Sequence, residues 1–313
     1  MAPIPRPTPS TLRAVHEALA ASGDEWESVG VPAGDIGVEC DRAIWLSFRR
    51  ASAPEEITWQ KRRIFERGNI EEERLLDLLR MVGVTVWGEQ DRVRAAGGHL
   101  RGKIDGRALG LLEAAKTTHI VECKSAKQEI FAKIKKNGVK IGKPEHYATF
   151  QFYMHGLGID RVLYVCTNKN DEDIYMERVE YDAEFAMRKV ARIERIINMP
   201  EPPSRLCSKR DDFRGMFCRQ AEVCWGEVRA RVHCRSCIHA TPLMDGNAGW
   251  DCARWSKPLS LAEQDAGCPA HLYIPSMLVG YEQIDCDPDA ETITYRSPTG
   301  GIFVDGATQE EAA

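Results

Sequence analysis

No stretch of this 313-residue chain approaches the roughly 20 apolar residues a membrane helix needs. The amino terminus, Met1-Ala-Pro-Ile-Pro-Arg-Pro-Thr-Pro-Ser10, also lacks the apolar core of a signal peptide. These absences exclude a membrane partner and place the protein in a reducing cytoplasm. There is no long internal repeat, and low complexity is confined to the termini. An excess of positive charge is missing too: the net charge of −5 excludes a uniformly basic nucleic-acid coat. At 43% hydrophobic residues the composition is globular, and the length allows one large domain or two smaller ones. Disulfides are out of place in a reducing compartment. For the eleven cysteines, metal ligation is therefore the better account of those that cluster.

Charge is unevenly spread. From Lys124 to Lys143 seven lysines face a single acid, Glu129, and Arg42, Arg49, Arg50, Lys61, Arg62, Arg63 and Arg67 thicken an earlier segment. Such patches suit a phosphate backbone, and equally a solvated helix face or a lysine-rich loop. The pattern predicts a short helix capped by Ser10 and carrying Leu12, Val15 and Leu19, a helix over 40–50, and a longer one over 59–81 interrupted at Gly68. Strands are expected at 84–87, 98–105, 119–124, 162–167 and 174–179, with helices at 145–155 and 183–198. Met199-Pro200-Glu201-Pro202-Pro203 marks a boundary, giving a flexible 1–39, a core over 40–200, a cysteine-rich module over 201–275 and a β-hairpin tail over 276–313.

Within this frame one constellation carries chemistry. Asp105 lies in Gly102-Lys103-Ile104-Asp105-Gly106, and seventeen residues later an apolar run ends in Glu122-Cys123-Lys124. In a strand Glu122 and Lys124 share one face while Val121 and Cys123 point into a core, and a hairpin partner carrying Asp105 brings a second carboxylate alongside. Two carboxylates bind Mg2+ or Mn2+, and a neighbouring lysine orients or deprotonates a water for attack on a phosphate. An exposed hairpin with an ordinary Glu/Lys pair is the plain alternative.

The order of these stations resembles the PD-(D/E)XK nuclease superfamily, in its RecB-type, lambda-exonuclease-like and phage-type branch. The resemblance covers roughly residues 40 to 198. Gly68-Asn69-Ile70-Glu71-Glu72 looks like that branch's Gly-x-x-x-Glu helix, which implies Glu72 as an extra acid near the metals. Gly102-Lys103-Ile104-Asp105 looks like its Gly-Arg-Ile-Asp station and Glu122-Cys123-Lys124 its Glu-x-Lys. The helix His146 to Met154 resembles its glutamine-bearing helix, with Thr149 where the family's glutamine would stand, so Gln151 is taken as the site-facing group and Tyr153 as packing. The resemblance implies an α/β fold with a central mixed sheet flanked by helices. It also implies metal held by Asp105, Glu122, Glu72 and the Cys123 carbonyl, a water positioned by Lys124 and steadied by Gln151, and a strand gripped by Lys127, Lys133, Lys135, Lys136, Lys140 and Lys143.

Cys234-Arg-Ser-Cys237 followed by Cys252 and Cys268 has the spacing of a structural zinc site, with His271 or His239 as substitutes. Trp250, Trp255 and Pro258 are expected to form its small core. Cys40, with Cys207, Cys218 and Cys224, resembles the iron–sulfur clasp of AddB-type and CRISPR-adaptation relatives, although Cys207 stands eleven residues before Cys218 where those relatives have Cys-x-x-Cys. Three outcomes stay open for this group: a four-iron four-sulfur cluster, a second zinc, or no metal. Cys123, Cys166 and Cys286 read as packing residues. Together the resemblance implies a DNA exonuclease of recombination or repair in a bacterial or phage-infected cell. A single-strand annealing recombinase as partner, a homo-oligomer, and a non-cleaving DNA-binding adaptor of the same fold remain open.

Overall fold

The computed structural model describes residues 9–22 and 29–306. Helix α1 (Ser10–Ala21) is preceded by Pro9 at its cap position, so Ser10, expected as the cap, is its first helical residue. Strand β1 (Val31–Pro32) leads to α2 (Asp41–Phe48) and α3 (Trp59–Met81). The Thr58 side chain caps α3 by accepting from the Lys61 N–H, and the helix runs unbroken through Gly68, contrary to the expected interruption. One glycine costs a helix interior only about 1 kcal/mol, which the buried Leu75, Leu76 and Leu79 of the same helix outweigh.

Next come β2 (Thr85–Trp87), β3 (Arg92–Ala95), β4 (Leu100–Lys103), β5 (Gly106–Leu109) and β6 (His119–Ala126). The strand expected over 98–105 is the shorter β4, and β5, which was not expected, begins just beyond Asp105. The chain continues through α4 (Gln128–Asn137), α5 (Val139–Gly142), α6 (Pro144–Leu157), β7 (Arg161–Asn168), β8 (Ile174–Glu180) and α7 (Ala183–Asn198).

The central sheet has the order β2-β5-β6-β7-β8, with β6 and β7 parallel and every other neighbour antiparallel. On one face α3 sets its three leucines against Ala108, Val121, Cys123, Leu163 and Val165. On the other, Ile120, Tyr164 and Cys166 pack with Phe150 of α6 and with Ile193 and Ile197 of α7. Covered on both faces, β7 is a continuous apolar run rather than an alternating one. The result is a mixed α/β fold, a central mixed sheet flanked by helices. Among the described residues no helix is long and apolar enough to cross a membrane. A second small sheet, β1-β4-β3, stands beside the first.

Beyond residue 200 lie α8 (Phe213–Met216), α9 (Ala221–Trp225), β9 (Ala240–Pro242), β10 (Trp250–Cys252), β11 (Lys257–Pro258) and α10 (Leu261–Ala266). They are followed by β12 (Glu282–Asp287), β13 (Thr292–Arg296) and β14 (Ile302–Asp305). The expected terminal hairpin is a three-stranded antiparallel sheet, and residues 307–313 of the expected tail lie outside the described residues. This half shares one core with the first: Phe48, Leu100 and Ile197 pack in the same cluster as Val223, Trp250 and Tyr295. The Trp250 indole lies between two buried guanidiniums, Arg49 at 5.1 Å and Arg235 at 5.0 Å. Arg49 donates to the carbonyls of Arg235 and Ala240, and Arg235 to that of Phe48. Of the expected small core only Trp250 is buried. Trp255 and Pro258 are exposed, and Leu259 fills the interior instead.

Candidate active site

Asp105 follows β4 at the point where β5 begins its pairing with β6, so its carboxyl meets the middle of β6. Asp105 Oδ2 accepts from the Cys123 N–H at 2.7 Å and from Lys124 Nζ at 3.3 Å. The same ammonium donates to Glu122 Oε2 at 3.1 Å and to the Cys123 carbonyl at 3.0 Å. Period-two alternation puts Glu122 and Lys124 on the α6 side and Val121 and Cys123 against α3. Both carboxylates are buried, Glu122 being only 2% exposed.

Electrostatics set these groups apart. Burial first, then repulsion from Asp105, raises the Glu122 carboxyl, with Lys124 opposing. The Lys124 ammonium is held well above its usual range by the two carboxylates, against the burial that would lower it. Glu122 Oε1 is buried and has no hydrogen-bond partner. An orphaned carboxylate oxygen costs free energy unless something positive completes it. From α3, half-buried Glu72 is pushed up to about 7 by burial and by Asp105, and its Oε1 accepts from Gln90 at 2.8 Å. Lys124 Nζ thus joins Asp105, Glu122 and the Cys123 carbonyl, and Glu72 feels the charges of Asp105 and Lys124.

Gln151 is not part of it. Fully buried, its side chain donates to the Glu180 carbonyl at 2.8 Å and accepts from the Asp182 N–H at 2.7 Å. Both ends of the amide are spent joining α6 to the β8–α7 connection, which overturns its expected place facing the site. Tyr153, expected in packing, lies on the site side instead. Its hydroxyl is raised chiefly by burial, then by the Glu122 charge, with Lys124 opposing. That hydroxyl lies 2.6 Å from where a Cβ on Gly102 would stand, so the glycine admits the tyrosine. His146, one helical repeat before Tyr153, is lowered to about 4 by burial and by Lys124. The signal that would have found Tyr153 is this seven-residue spacing on one helix face.

Three of the six lysines expected to grip a strand are engaged with acids: Lys135 with Asp173 at 2.5 Å, Lys140 with Asp182 at 3.8 Å and Lys143 with Glu145 at 3.3 Å. Lys127, Lys133 and Lys136 have no ion pair among the described residues.

Cys234, Cys237, Cys252 and Cys268 line one small pocket with His239 and His271. Burial, and then the neighbouring Cys268, Cys237 and Cys252, push the Cys234 thiol up to about 11. His271 is held by Ser236 Oγ at 3.0 Å and faces Asp305 at 3.7 Å, whereas His239 Nε2 is buried with no partner and is the freer substitute. The Cys218 thiol is raised first by burial and then also by the charges of Cys40, Cys224 and Cys207. All eleven cysteines are free thiols, and Cys286, expected in packing, is exposed. Among the described residues no group of three His, Cys, Asp or Glu side chains stands in ligand geometry. At the carboxylates the reason is plain, because Lys124 Nζ occupies the space between them.

No protein-family model matches this chain, and no curated relative does. Among solved structures, the crystal structure of SSO0001 is similar with a TM-score of 0.42 at 13% identity, over 70% of this chain and 97% of that one. An alkaline exonuclease (LHK-Exo) from Laribacter hongkongensis gives 0.39 at 15% identity, over 58% and 90% of the two chains. The same enzyme in complex with dAMP gives 0.35 at 14% identity, over 58% and 90%.

Proposed function

We propose that this chain is a divalent-metal-dependent DNA nuclease with a PD-(D/E)XK core, hydrolysing phosphodiester bonds as an exonuclease at DNA ends. The observation that carries the reading is Glu122 Oε1, a buried carboxylate oxygen without a partner beside a second carboxylate and a lysine. The donor set fits a hard cation: Asp105, Glu122, Glu72 and the Cys123 carbonyl are all oxygen ligands, as Mg2+ or Mn2+ prefers. When bound, such an ion polarises the scissile phosphate and stabilises charge on the departing oxygen.

The remaining work falls to the chain. Lys124 neutralises the two carboxylates in the absence of the ion, and its three donors then orient the attacking water. The Cys123 N–H fixes the Asp105 carboxyl, and Gln90 fixes that of Glu72. The Tyr153 hydroxyl, raised by burial, stays protonated as a donor beside the site. In the same reading Cys234, Cys237, Cys252 and Cys268 hold a structural zinc, and Cys40, Cys207, Cys218 and Cys224 hold a four-iron four-sulfur cluster. Recombination or repair is the proposed setting.

Linear and covalently closed circular DNA incubated with Mn2+ test the reading. Shortening of the linear form from its ends, with the circle surviving, is the expected result, and Lys124→Ala and Asp105→Ala should each abolish it. Tight DNA binding by the native protein with no cleavage under any divalent metal would overturn it in favour of a non-cleaving adaptor.

A further inference from the structure

Strands β3 and β4 form a two-stranded ribbon whose register pairs Arg92 with Lys103 and Arg94 with Arg101. Residues directly opposite in an antiparallel ladder share a face, so these four cations lie on one side. The other side holds Val93 and Leu100, both buried, with Val93 seated against Gly156 of α6. None of the four cations has an acidic partner within ion-pair distance among the described residues, and Arg101 uses its guanidinium only on the Gly98 carbonyl. Like charges directly opposite each other destabilise a sheet, and here two such pairs stand in succession. Arg92 and Arg94 together depress Arg101 below its usual range, after burial.

The ribbon also leads somewhere. Lys103 ends β4 and precedes Asp105 by two residues, so the row of cations stops beside the first carboxylate. Cations that repel one another without local acids, on a face ending at a carboxylate cluster, call for an extended anion running along it. Alternate residues on a strand stand about 6.6 Å apart, so the face presents its charges at regular intervals rather than at one point.

We propose that the outer face of the β3–β4 ribbon, through Arg92, Arg94, Arg101 and Lys103, binds the phosphodiester backbone of the DNA strand delivered to Asp105 and Glu122. This assignment rests on the nuclease reading and names the surface that feeds its site. Charges on an edge strand also discourage edge-to-edge pairing, and β3 is such an edge. That role would not place two further cations on the central strand β4.

The test is equilibrium binding of an end-labelled duplex by the full chain in chelator, where no cleavage occurs, across a salt series. Each lost phosphate contact reduces the log–log salt slope by about 0.9 on duplex and about 0.7 on single-stranded DNA. The double variant Arg92→Gln/Arg94→Gln should flatten the slope by about 1.8 and weaken binding at every sequence, with a melting temperature no lower than wild type because repulsion is relieved. Arg92→Lys/Arg94→Lys should restore the slope, and Lys103→Gln alone should remove about one contact. A slope unchanged in the glutamine variants, with folding intact, overturns the assignment, since edge protection or an acidic protein partner would leave DNA binding as it was. Cleavage of linear DNA with Mn2+ is scored separately. A flattened slope in a protein that never cleaves supports the ribbon and sinks the nuclease reading, whereas cleavage with an unchanged slope does the reverse.

Discussion

Glu72 offers a quantitative check on how the acids are coupled. Its carboxyl is raised from 4.5 to about 7 by burial and by the Asp105 charge. A raised carboxyl binds its proton more tightly in the folded than in the unfolded chain. Its ionisation therefore costs nothing below pH 4.5, costs progressively more between 4.5 and 7, and costs the full amount above 7. At about 1.36 kcal/mol per pKa unit the full cost is roughly 3 kcal/mol, and screening of a half-exposed group reduces this to about 1–2 kcal/mol. Glu72→Gln removes the charge while keeping the shape. In chelator at pH 8 the variant should melt roughly 2–4 °C above wild type, with the gain shrinking to a fraction of that at pH 5. Saturating Mn2+ should reverse the order, because the ion binds the wild type, which keeps Glu72 as a ligand, more tightly than the variant. Thermal denaturation followed by circular dichroism at both pH values measures all of this. A variant that melts below wild type in chelator at pH 8, or a difference that does not change with pH, would refute the argument that Glu72 is held against the other acids.

Gln151→Leu should cost about 2–4 kcal/mol, since the Glu180 carbonyl and the Asp182 N–H both lose a buried partner, while the folded fraction keeps its cleavage rate; urea denaturation and single-turnover kinetics separate the two effects. Gly102→Ala should destabilise by about 1–3 kcal/mol, because the new methyl would stand 2.6 Å from both the Ala33 Cβ and the Tyr153 hydroxyl, and pairing it with Tyr153→Phe should not recover the loss, because Ala33 still blocks the space. Cys234→Ser should abolish bound zinc by elemental analysis and lower the melting temperature, whereas Cys40→Ala should leave zinc intact and remove any iron–sulfur absorption band.

Much of the first 200 residues was legible because local pattern and tertiary role agree there. Helices α3 and α7 begin and end where their apolar spacing and the Met199-Pro200 break put them. Glu122 and Lys124 stood out because two charged residues interrupt an apolar run at strand spacing, and the strand indeed buries Val121 and Cys123 opposite them. Gln151 was misread for a definite reason. Every residue of α6 from Tyr147 to Met154 is buried, so the helix has no solvent stripe, and polarity gives no clue to which direction a side chain faces. Its amide satisfies backbone groups contributed by β8 and α7, which no local spacing reveals. Strand β5 was likewise missed, since it follows Asp105 almost at once and only its pairing with β2 and β6 sets it apart from β4. Cysteine spacing pointed to the group of Cys234, Cys237, Cys252 and Cys268, which line one pocket, whereas Cys40 was joined to Cys207, Cys218 and Cys224 by the resemblance alone.

The column of Arg49, Trp250 and Arg235 bears on how this protein is assembled. His99, the residue just before β4, lies 5.2 Å from Phe48 and 6.1 Å from Trp250, so the root of the strand leading to Lys103 and Asp105 rests on an indole supplied from beyond residue 200. A chain ending at the proline cluster would leave Phe48 uncovered and the Arg49 guanidinium without its two carbonyl acceptors, one of the costlier vacancies a core can carry. The cysteine-rich segment is therefore a keystone rather than an appendage. Because the two halves share one core, loss of order around the thiols would be felt at the base of the strand that presents the first carboxylate.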